Sequence, residues 1–459
     1  MKNTIAVVLA AGEGTRFKSG VPKVLHSILG KTLIERVGEK LKNFKKTVIV
    51  IGHKGDSVKD TVKKSTVGGK NIIFTLQKKQ LGSGDALKKA KGAISGFSGN
   101  IVVLCGDTPL IKTDTLIKLL RFHKNEKADC TVLTFEADNP YGYGRVIKEG
   151  NRIERIIEEK DASAEIKKIK EVNSGIYVFS SRVLFPALEK ISPNNAKKEY
   201  YLTDVISVLN EKGSKIVGLK IKNYTEVIGI NNRIELAAAE KILREEMLNK
   251  LMLSGVTITD PQTTYIDETV KISNDAVILP STIIKKNTTI KSGSTIGPFA
   301  YIKDSKIGRD VEIRASFIYG ADIGDGAKIG PFSHIRAGTK IHKNARIGNF
   351  SEIKKSVISE NTKISHLSYI GDSFVGKDVN IGAGTITCNY DGKLKHKTHI
   401  SENVFVGSNT NFIAPVKIGK GALIAAGSTI TEDVPENTLS IARARQLNKT
   451  LKKKKRRGR

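Results

Sequence analysis

Two short clusters early in the chain have the residue types that handle phosphates. The segment LAAGEGTR (9–16) follows an apolar run, and Pro22 and Lys23 come shortly after it. Gly12 and Gly14 let the backbone approach a ligand closely and point N–H groups at phosphate oxygens. Arg16 and Lys23 add charge-assisted contacts to a triphosphate. Phe17 stands where a GxGxxG loop needs its third glycine, and the GxxxxGK[ST] pattern is absent as well, so ordinary dinucleotide enzymes and P-loop NTPases are disfavoured. The second cluster is CGDTPL (105–110), which places Asp107 at the end of an apolar run, where a carboxylate can hold Mg²⁺ beside phosphates. Taken singly, a glycine turn accounts equally well for the first cluster, and a helix-capping aspartate for the second.

These clusters need a frame. A chain of 459 residues exceeds one ordinary domain, and 39% hydrophobic with 27% charged residues permits packed cores. No apolar run reaches the roughly 18–20 residues that cross a bilayer, which argues against membrane insertion. The run Ile5 to Ala11 imitates a short signal segment, but a phosphate loop follows it directly. Cys105, Cys130 and Cys388 are too widely spaced for a disulfide framework or a Cys-x-x-Cys metal site, which points to a reducing, cytoplasmic location. Lysine plus arginine (77) exceeds aspartate plus glutamate (46) by 31. Nucleic acid, small anionic substrates or a general lysine bias each account for that excess. The lysines are spread along the chain, which favours the last and argues against a specific nucleic-acid partner. Only the stretch from Lys449 to Arg459 is concentrated, and it reads as a solvated, self-repelling tail.

Residues 1–230 alternate β-rich runs with helical patterns. The runs are Ile5–Leu9, Val48–Ile51, Ile72–Leu76, Ile101–Leu104, Thr131–Phe135, Ile176–Phe179 and Ile216–Ile221; helices are expected at 114–123 and 201–211. This is the pattern of a Rossmann-like α/β domain with a mixed, mostly parallel sheet, which binds ligands at the carboxyl ends of its strands. Over 231–253, Leu236, Ala239, Leu243, Met247 and Leu251 share one helical face, and Gly255 ends the helix. Beyond it, isoleucine recurs every sixth residue from Ile266 through Ile302. After one dropped residue the step resumes, and it runs again from Ile323 through Ile353. Neither an α-helix nor a hairpin sheet keeps a period of six on one face. A three-sided coil does, and the period is that of hexapeptide β-helices, expected over 254–445. The step breaks between Gly384 and His399, where a loop leaves the coil; residues 446–459 are the basic tail.

In order along the chain stand LAAGEGTR, PKVLH (22–26), QLGSGDA (80–86), GDTPL (106–110), YGYGR (141–145), EEKDA (158–162), NSGIY (173–177) and GINNR (229–233). With the six-residue repeat behind them, they resemble the bifunctional bacterial N-acetylglucosamine-1-phosphate uridylyltransferase/glucosamine-1-phosphate N-acetyltransferase family over nearly the whole chain. The resemblance implies left-handed coiling and two activities. The β-helix acetylates glucosamine 1-phosphate with acetyl-CoA, and the α/β domain couples the N-acetyl product to UTP, giving UDP-N-acetylglucosamine, a cell-envelope precursor. It implies that Leu9, Ala10, Gly12, Gly14, Arg16 and Lys23 hold the nucleotide and that Gln77, Gly82 and Ser83 read the uracil. Gly144, Glu158, Asn173 and Asn231 bind the amino sugar phosphate, and Asp107 and Asn231 hold Mg²⁺. His366 is the acetyl-transfer base. Arg336, Lys354, Tyr369, Asn380 and Lys395 bind glucosamine 1-phosphate; Ala383, Asn389, Tyr390, Ser408, Ala426 and Arg443 contact acetyl-CoA. A homotrimer is implied too. Two departures touch these sites: Asp85, where many relatives have histidine, and Cys105, where some have tyrosine.

Two rivals make different expectations. A single-activity nucleotidylyltransferase with a merely oligomerising β-helix would release pyrophosphate but no CoA thiol. A basic scaffold that binds RNA through its tail would show salt-steep RNA affinity and no catalysis.

Overall fold

The computed structural model describes residues 3–65 and 71–451. The chain divides into two compact units, Met1–Leu243 and Arg244–Arg459. Of the basic tail, residues 446–451 are exposed and without regular structure, and 452–459 lie outside the described residues.

The principal strands of the first unit are β1 (Thr4–Ala10), β2 (Lys46–Ile51), β3 (Ile72–Leu76), β4 (Asn100–Cys105), β5 (Cys130–Glu136), β6 (Arg145–Glu149), β7 (Arg152–Ile157), β8 (Glu171–Ser180) and β9 (Ile216–Ile221). Among the described residues they form one nine-stranded sheet in the order β3-β2-β1-β4-β8-β5-β9-β7-β6. The half β3-β2-β1-β4 is parallel, β9 is parallel to β5, and β8 runs antiparallel between β4 and β5. The central strands β1, β2 and β4 read as nearly unbroken apolar runs because both faces of the sheet are covered there. Ile5 and Val7 enter one core with Val48 and Val103, while Ala6 and Val8 enter the other with Ile49 and Val102. Helices α1 (Leu33–Glu39), α2 (Gly55–Lys64), α3 (Ser83–Lys88), α4 (Thr113–Asn125), α5 (Ser181–Leu188) and α6 (Asp204–Glu211) lie between the strands in sequence.

All seven expected strands form. The β6–β7 hairpin was not expected, because Arg155 and Lys148 interrupt the apolar signal although Val146, Ile153 and Ile156 are buried. Strand β8 begins five residues earlier than the apolar run suggests. Its register shifts between Asn173 and Tyr177, where Gly175 takes φ +75°, so the polar start is hidden by a bulge. Helix α7 (Arg233–Leu253) follows, with Ala239 and Leu248 buried; the boundary between the two units falls within it. Gly255, at φ +93°, donates its N–H to the Met252 carbonyl and turns the chain out of the helix.

The second unit is a parallel coil. Each turn gives one short strand to each of three parallel sheets, and beyond the first pair partners lie 16 to 18 residues apart except across one excursion, as in Ile302, Ile318, Ile335 and Ile353. The every-sixth aliphatics point inward and make one continuous core; Ile284, Ile296, Ile335, Ile353 and Ile370 are fully buried, and Ile272 is partly buried. Backbone pairing sets the coils about 4.8 Å apart. Small hydroxyl residues fill the corners and satisfy carbonyls there, as Ser294 does for Gly308 (2.8 Å) and Thr362 for Gly376 (2.6 Å). Asn344, Asn361, Asp378 and Asn403 turn corners with φ near +57°, a conformation that short polar side chains tolerate best after glycine. The break in the repeat is an excursion between strands Ile386–Cys388 and Thr398–Ile400.

Candidate functional site

In the first unit, the glycine-rich loop leaves the carboxyl end of β1 and Asp107 follows that of its parallel neighbour β4. Gly106 donates to the Leu9 carbonyl (2.9 Å), which ties the two turns together. Gly14 takes φ +66°, and a Cβ there would fall 2.7 Å from Lys23 Cβ, so no larger residue fits beneath Lys23. The space around Gly12 is open, as a ligand-facing turn requires. Lys23 Nζ pairs with the Asp107 carboxylate and lies 3.4 Å from Asn231 Oδ1. Arg16 reaches the same Asn231 oxygen at 3.1 Å. Asn231 is held by its own backbone, whose N–H donates to Glu235 in the first turn of α7 (2.6 Å). Residues 16, 23, 107 and 231 therefore converge on one spot. Cys105 lies beside it, half-buried, and its thiol is pushed up to about 12 by desolvation first and by Asp107 second.

The sugar-side residues also meet. Gly144 O accepts from Asn173 N (2.9 Å), and a Cβ on Gly144 would lie 3.5 Å from Glu158 Oε1. Burial raises the Glu158 carboxyl above its ordinary range, and a hydrogen bond from Thr203 (3.1 Å) partly offsets that rise. Asn173 is locked on both sides. Its Nδ2 donates to Tyr177 (2.6 Å), and its Oδ1 accepts from Gly175 N (3.0 Å). Gln77, just past β3, is buried, and its amide donates to Gly82 O (3.1 Å) and Asp85 (2.9 Å).

In the second unit, His366 closes strand Lys363–His366 and sits directly above Asn349 of the preceding coil. Its Nδ1 is 2.6 Å from Asn349 Oδ1. The amide oxygen accepts only, so Nδ1 carries the proton and Nε2 is left with its lone pair. The corners above follow in column. Gly384 N bonds Leu367 O, Asn409 N bonds Ala383 O, Gly427 N bonds Ser408 O, and Arg443 donates to Ala426 O (2.6 Å). One face further on, Lys354 and Lys395 are in side-chain contact. The Lys354 pKa is lowered by Lys395 first, with Arg336 adding to the effect. Arg336 pairs with Glu352 (2.8 Å), which stands beside Tyr369. Gly371 leaves room for these groups, since a Cβ would lie 2.5 Å from the Tyr369 hydroxyl and 2.9 Å from Asn389 Nδ2 and would push them aside.

The excursion is a small hairpin with its own staple. Asp391 accepts from the backbone N–H of Lys393 (2.8 Å) and Leu394 (2.7 Å), and pairs with His396 Nε2 at 2.7 Å. These contacts hold the Asp391 carboxyl far below its usual range, His396 contributing most. Tyr390 is exposed at its start. Among the described residues, no side-chain hydrogen bond joins Asn380 or Tyr390 to His366. Sequence reasoning missed Asn349, Thr203, Tyr177 and the Asp391–His396 pair. Asn349 was accessible, because it lies one 17-residue coil before His366.

Residues 5–229 match the nucleotidyl transferase family, and residues 320–355 and 397–432 match the bacterial transferase hexapeptide family (six repeats). The second match identifies the coil as a left-handed parallel β-helix. The chain is 47% identical to the bifunctional protein GlmU of Halalkalibacterium halodurans, covering 98% of each chain. It is 48% identical to that of a Geobacillus species, covering 98% of this chain and 97% of the other. With that of Acetivibrio thermocellus it shares 46% identity over 97% of this chain and 96% of the relative. Full-length similarity at this level, across both folds, places the chain in the bifunctional GlmU family, as an enzyme with uridylyltransferase and acetyltransferase activities.

Proposed function

We propose that residues 1–230 form the uridylyltransferase domain, 254–445 the acetyltransferase domain, and 231–253 the joining helix. One observation supports this assignment: each unit has its own gathering of phosphate-binding cations beside a reactive group. Arg16 and Lys23 gather on Asp107 and Asn231; Lys354 and Lys395 meet on the coil face that follows the one carrying His366, with Arg336 adding its charge.

In the second unit, glucosamine 1-phosphate seats its phosphate on Arg336, Lys354 and Lys395, with Tyr369 and Asn380 completing the pocket. Two lysines in contact repel each other, so a phosphate dianion between them is favoured. His366 Nε2 takes a proton from the attacking amine, and the amine nitrogen forms a bond to the thioester carbonyl carbon. The carbon–sulfur bond then breaks, and CoA leaves as a thiol once it takes up a proton. Acetyl-CoA lies along the corner column of Ala383, Ser408, Ala426 and Arg443, with Asn389 and Tyr390 beside it. Backbone N–H groups near Ala383 face the developing oxyanion.

In the first unit, the phosphate of the N-acetylated product attacks the α-phosphorus of UTP and pyrophosphate leaves. Leu9, Ala10, Gly12 and Gly14 cradle the nucleotide, and Lys23 and Arg16 neutralise its phosphates. Gln77, Gly82 and Ser83 read the uracil. Gly144, Glu158 and Asn173 hold the sugar. Asp107 and Asn231 are hard oxygen donors on adjoining turns, a set that suits Mg²⁺ once substrate oxygens and water complete the shell. Among the described residues no cluster of three or more His, Cys, Asp or Glu offers a fuller protein cage, which fits a metal shared with phosphates. Bound there, Mg²⁺ would neutralise charge on the phosphate oxygens.

No helix among the described residues is long and apolar enough to cross a membrane. We infer a cytoplasmic enzyme that assembles as a homotrimer, the flat sides of three prisms meeting and the Asn389–Lys397 hairpin reaching a neighbour. The test separates the two sites. Asp107→Ala should abolish pyrophosphate release and spare CoA release, and His366→Ala should do the reverse. Loss of both activities from either change, in folded protein, refutes the assignment.

A further inference from the structure

Gln77 and Asp85 form a contact whose chemistry has a direction. Both side chains are buried, at 3% and 7% exposure, and both belong to one tight corner. Gln77 N donates to the Ile51 carbonyl at the end of β2 (2.9 Å), which anchors its backbone. The facing turn is equally constrained. Tyr200 N donates to Leu81 O and Gly84 N to Tyr200 O, both at 2.8 Å, and Leu202 N donates to Ser83 Oγ (3.0 Å). Gly82 takes φ +110°, and a Cβ there would fall 2.5 Å from Tyr200 O, so the turn packs too closely on Tyr200 for any residue but glycine.

Within this corner, the Gln77 amide nitrogen faces two acceptors, Gly82 O at 3.1 Å and Asp85 Oδ2 at 2.9 Å. A carboxylate only accepts, and so does a carbonyl, which means both amide hydrogens are committed to the protein. Turning the amide over would set its oxygen against the carboxylate oxygen and the Gly82 carbonyl together. Asp85 is itself pinned. Its second oxygen lies 3.2 Å from Lys89 Nζ, one turn along α3. Gln77 is thereby left to present Oε1, an acceptor, and nothing else.

We infer that Asp85 is a positioning residue for base selection: it fixes Gln77 as a pure acceptor, matched to the N3–H of uracil and mismatched to cytosine, whose N3 is itself an acceptor. The inference rests on the proposal that Gln77 reads the uracil. It adds that Asp85, with no need to touch the nucleotide, sets what Gln77 can read. A site that binds one hydrogen-bonding pattern rejects the analogue that leaves its polar group unpaired.

The experiment compares UTP with CTP as substrates of the full-length enzyme, with pyrophosphate release as the readout. Circular dichroism and CoA-thiol release report that each variant is folded. Asp85→Ala frees the amide to rotate and offer a donor to cytosine N3. The UTP-over-CTP ratio of kcat/KM should fall about tenfold, chiefly through KM for UTP, because base contacts bind ground and transition states alike. Asp85→His supplies a readout that a purely structural role would not move. A neutral imidazole can accept from Gln77, whereas an imidazolium can only donate and turns the amide around. The ratio in this variant should stay near the native value at pH 8 and collapse below about pH 6, while the native ratio stays flat over that range. Ratios within twofold of native for both variants, at every pH, overturn the inference. Gln77→Leu tells the two possible failures apart. If it too leaves the ratio unchanged, Gln77 does not read the base, and both claims fall. If it lowers the ratio while both Asp85 variants do not, only the role of Asp85 is refuted.

Discussion

The Asn349–His366 bond gives the sharpest quantitative prediction. At 2.6 Å it is short, it joins adjacent coils at the same register, and it fixes the proton on Nδ1. Asn349→Ala removes it without touching substrate. A bond to neutral imidazole contributes about 1 kcal/mol, and one to a charged ring about 1.5–3 kcal/mol. As the proposed base, the ring would gain a proton during acetyl transfer, so only the increase in the strength of this bond reaches the barrier. That increase is about 0.5–2 kcal/mol, or roughly a 2–30-fold fall in kcat. The assay is CoA-thiol release at saturating acetyl-CoA. KM for glucosamine 1-phosphate should stay within twofold, because the phosphate is held by other residues. Asn349→Asp should retain most of the rate and move the acid limb of the pH profile upward, since a carboxylate stabilises the imidazolium. His366→Ala should cost more, about 10²–10⁴-fold. Unchanged kcat in Asn349→Ala would refute the orienting role, and so would a loss as large as that of His366→Ala.

Three further outcomes follow from contacts elsewhere. Burial raises the Glu158 carboxyl, so kcat/KM for N-acetylglucosamine 1-phosphate should fall with acid at a pH above that of an ordinary carboxylate. Thr203→Val removes the bond that favours the ionised form, and should move that limb upward by roughly 0.5–1 pH unit; a limb that stays put argues against Glu158 as a sugar ligand. Asp204 is raised to about 6 by burial first and by Glu158 second, so its folded form holds the proton more tightly than the unfolded chain. Its stabilising share is complete below about pH 4 and is lost as pH rises through about 6, so Asp204→Asn should flatten the melting temperature over that window. Ile335→Ala, fully buried between Ile318 and Ile353, should cost about 2–5 kcal/mol in chemical denaturation, and a loss under 1 kcal/mol would contradict a close-packed coil interior.

How much of this was legible in the sequence depends on how far apart the partners lie. The coil was readable because its rule is local: one aliphatic every six residues specifies which side chains point inward, and Ile284, Ile335 and Ile370 obey it. Asn349 and His366 were readable in principle, since 17 residues is one coil and register alone brings them together. The convergence of Lys23, Asp107 and Asn231 is different. These residues are 84 and 124 positions apart in turn, and only the adjacency of β1 and β4 and the start of α7 places them. The family resemblance set Asp107 and Asn231 at one metal and Lys23 on the nucleotide, but did not give the ammonium lying between carboxylate and amide. The β6–β7 hairpin escaped because Lys148 and Arg155 broke its alternation, and with it went the carrier of Gly144 and Glu158.

The two units reach their sites by opposite routes, and this bears on how each tolerates change. In the α/β unit the site sits on turns past strand ends, where each side chain is held by a separate local device: Gly14 under Lys23, Gly175 beside Asn173, Thr203 on Glu158. A substitution there perturbs one group and leaves the sheet intact. In the β-helix the proposed site is a property of register, since Asn349 and His366 stack one coil apart and the corner column continues above them. Coils of 16, 17 and 18 residues stack with their inward aliphatics paired, as in Ile302–Ile318, Ile318–Ile335 and Ile335–Ile353, so a corner absorbs a residue and the strand register carries the alignment. The Asn389–Lys397 excursion escapes this constraint, since the chain leaves the stack after Cys388 and rejoins it at Thr398 with pairing intact on both sides. Length can vary there without disturbing the stacked strands, so the excursion can carry the proposed pocket residues Asn389, Tyr390 and Lys395 while the coil beneath keeps its register.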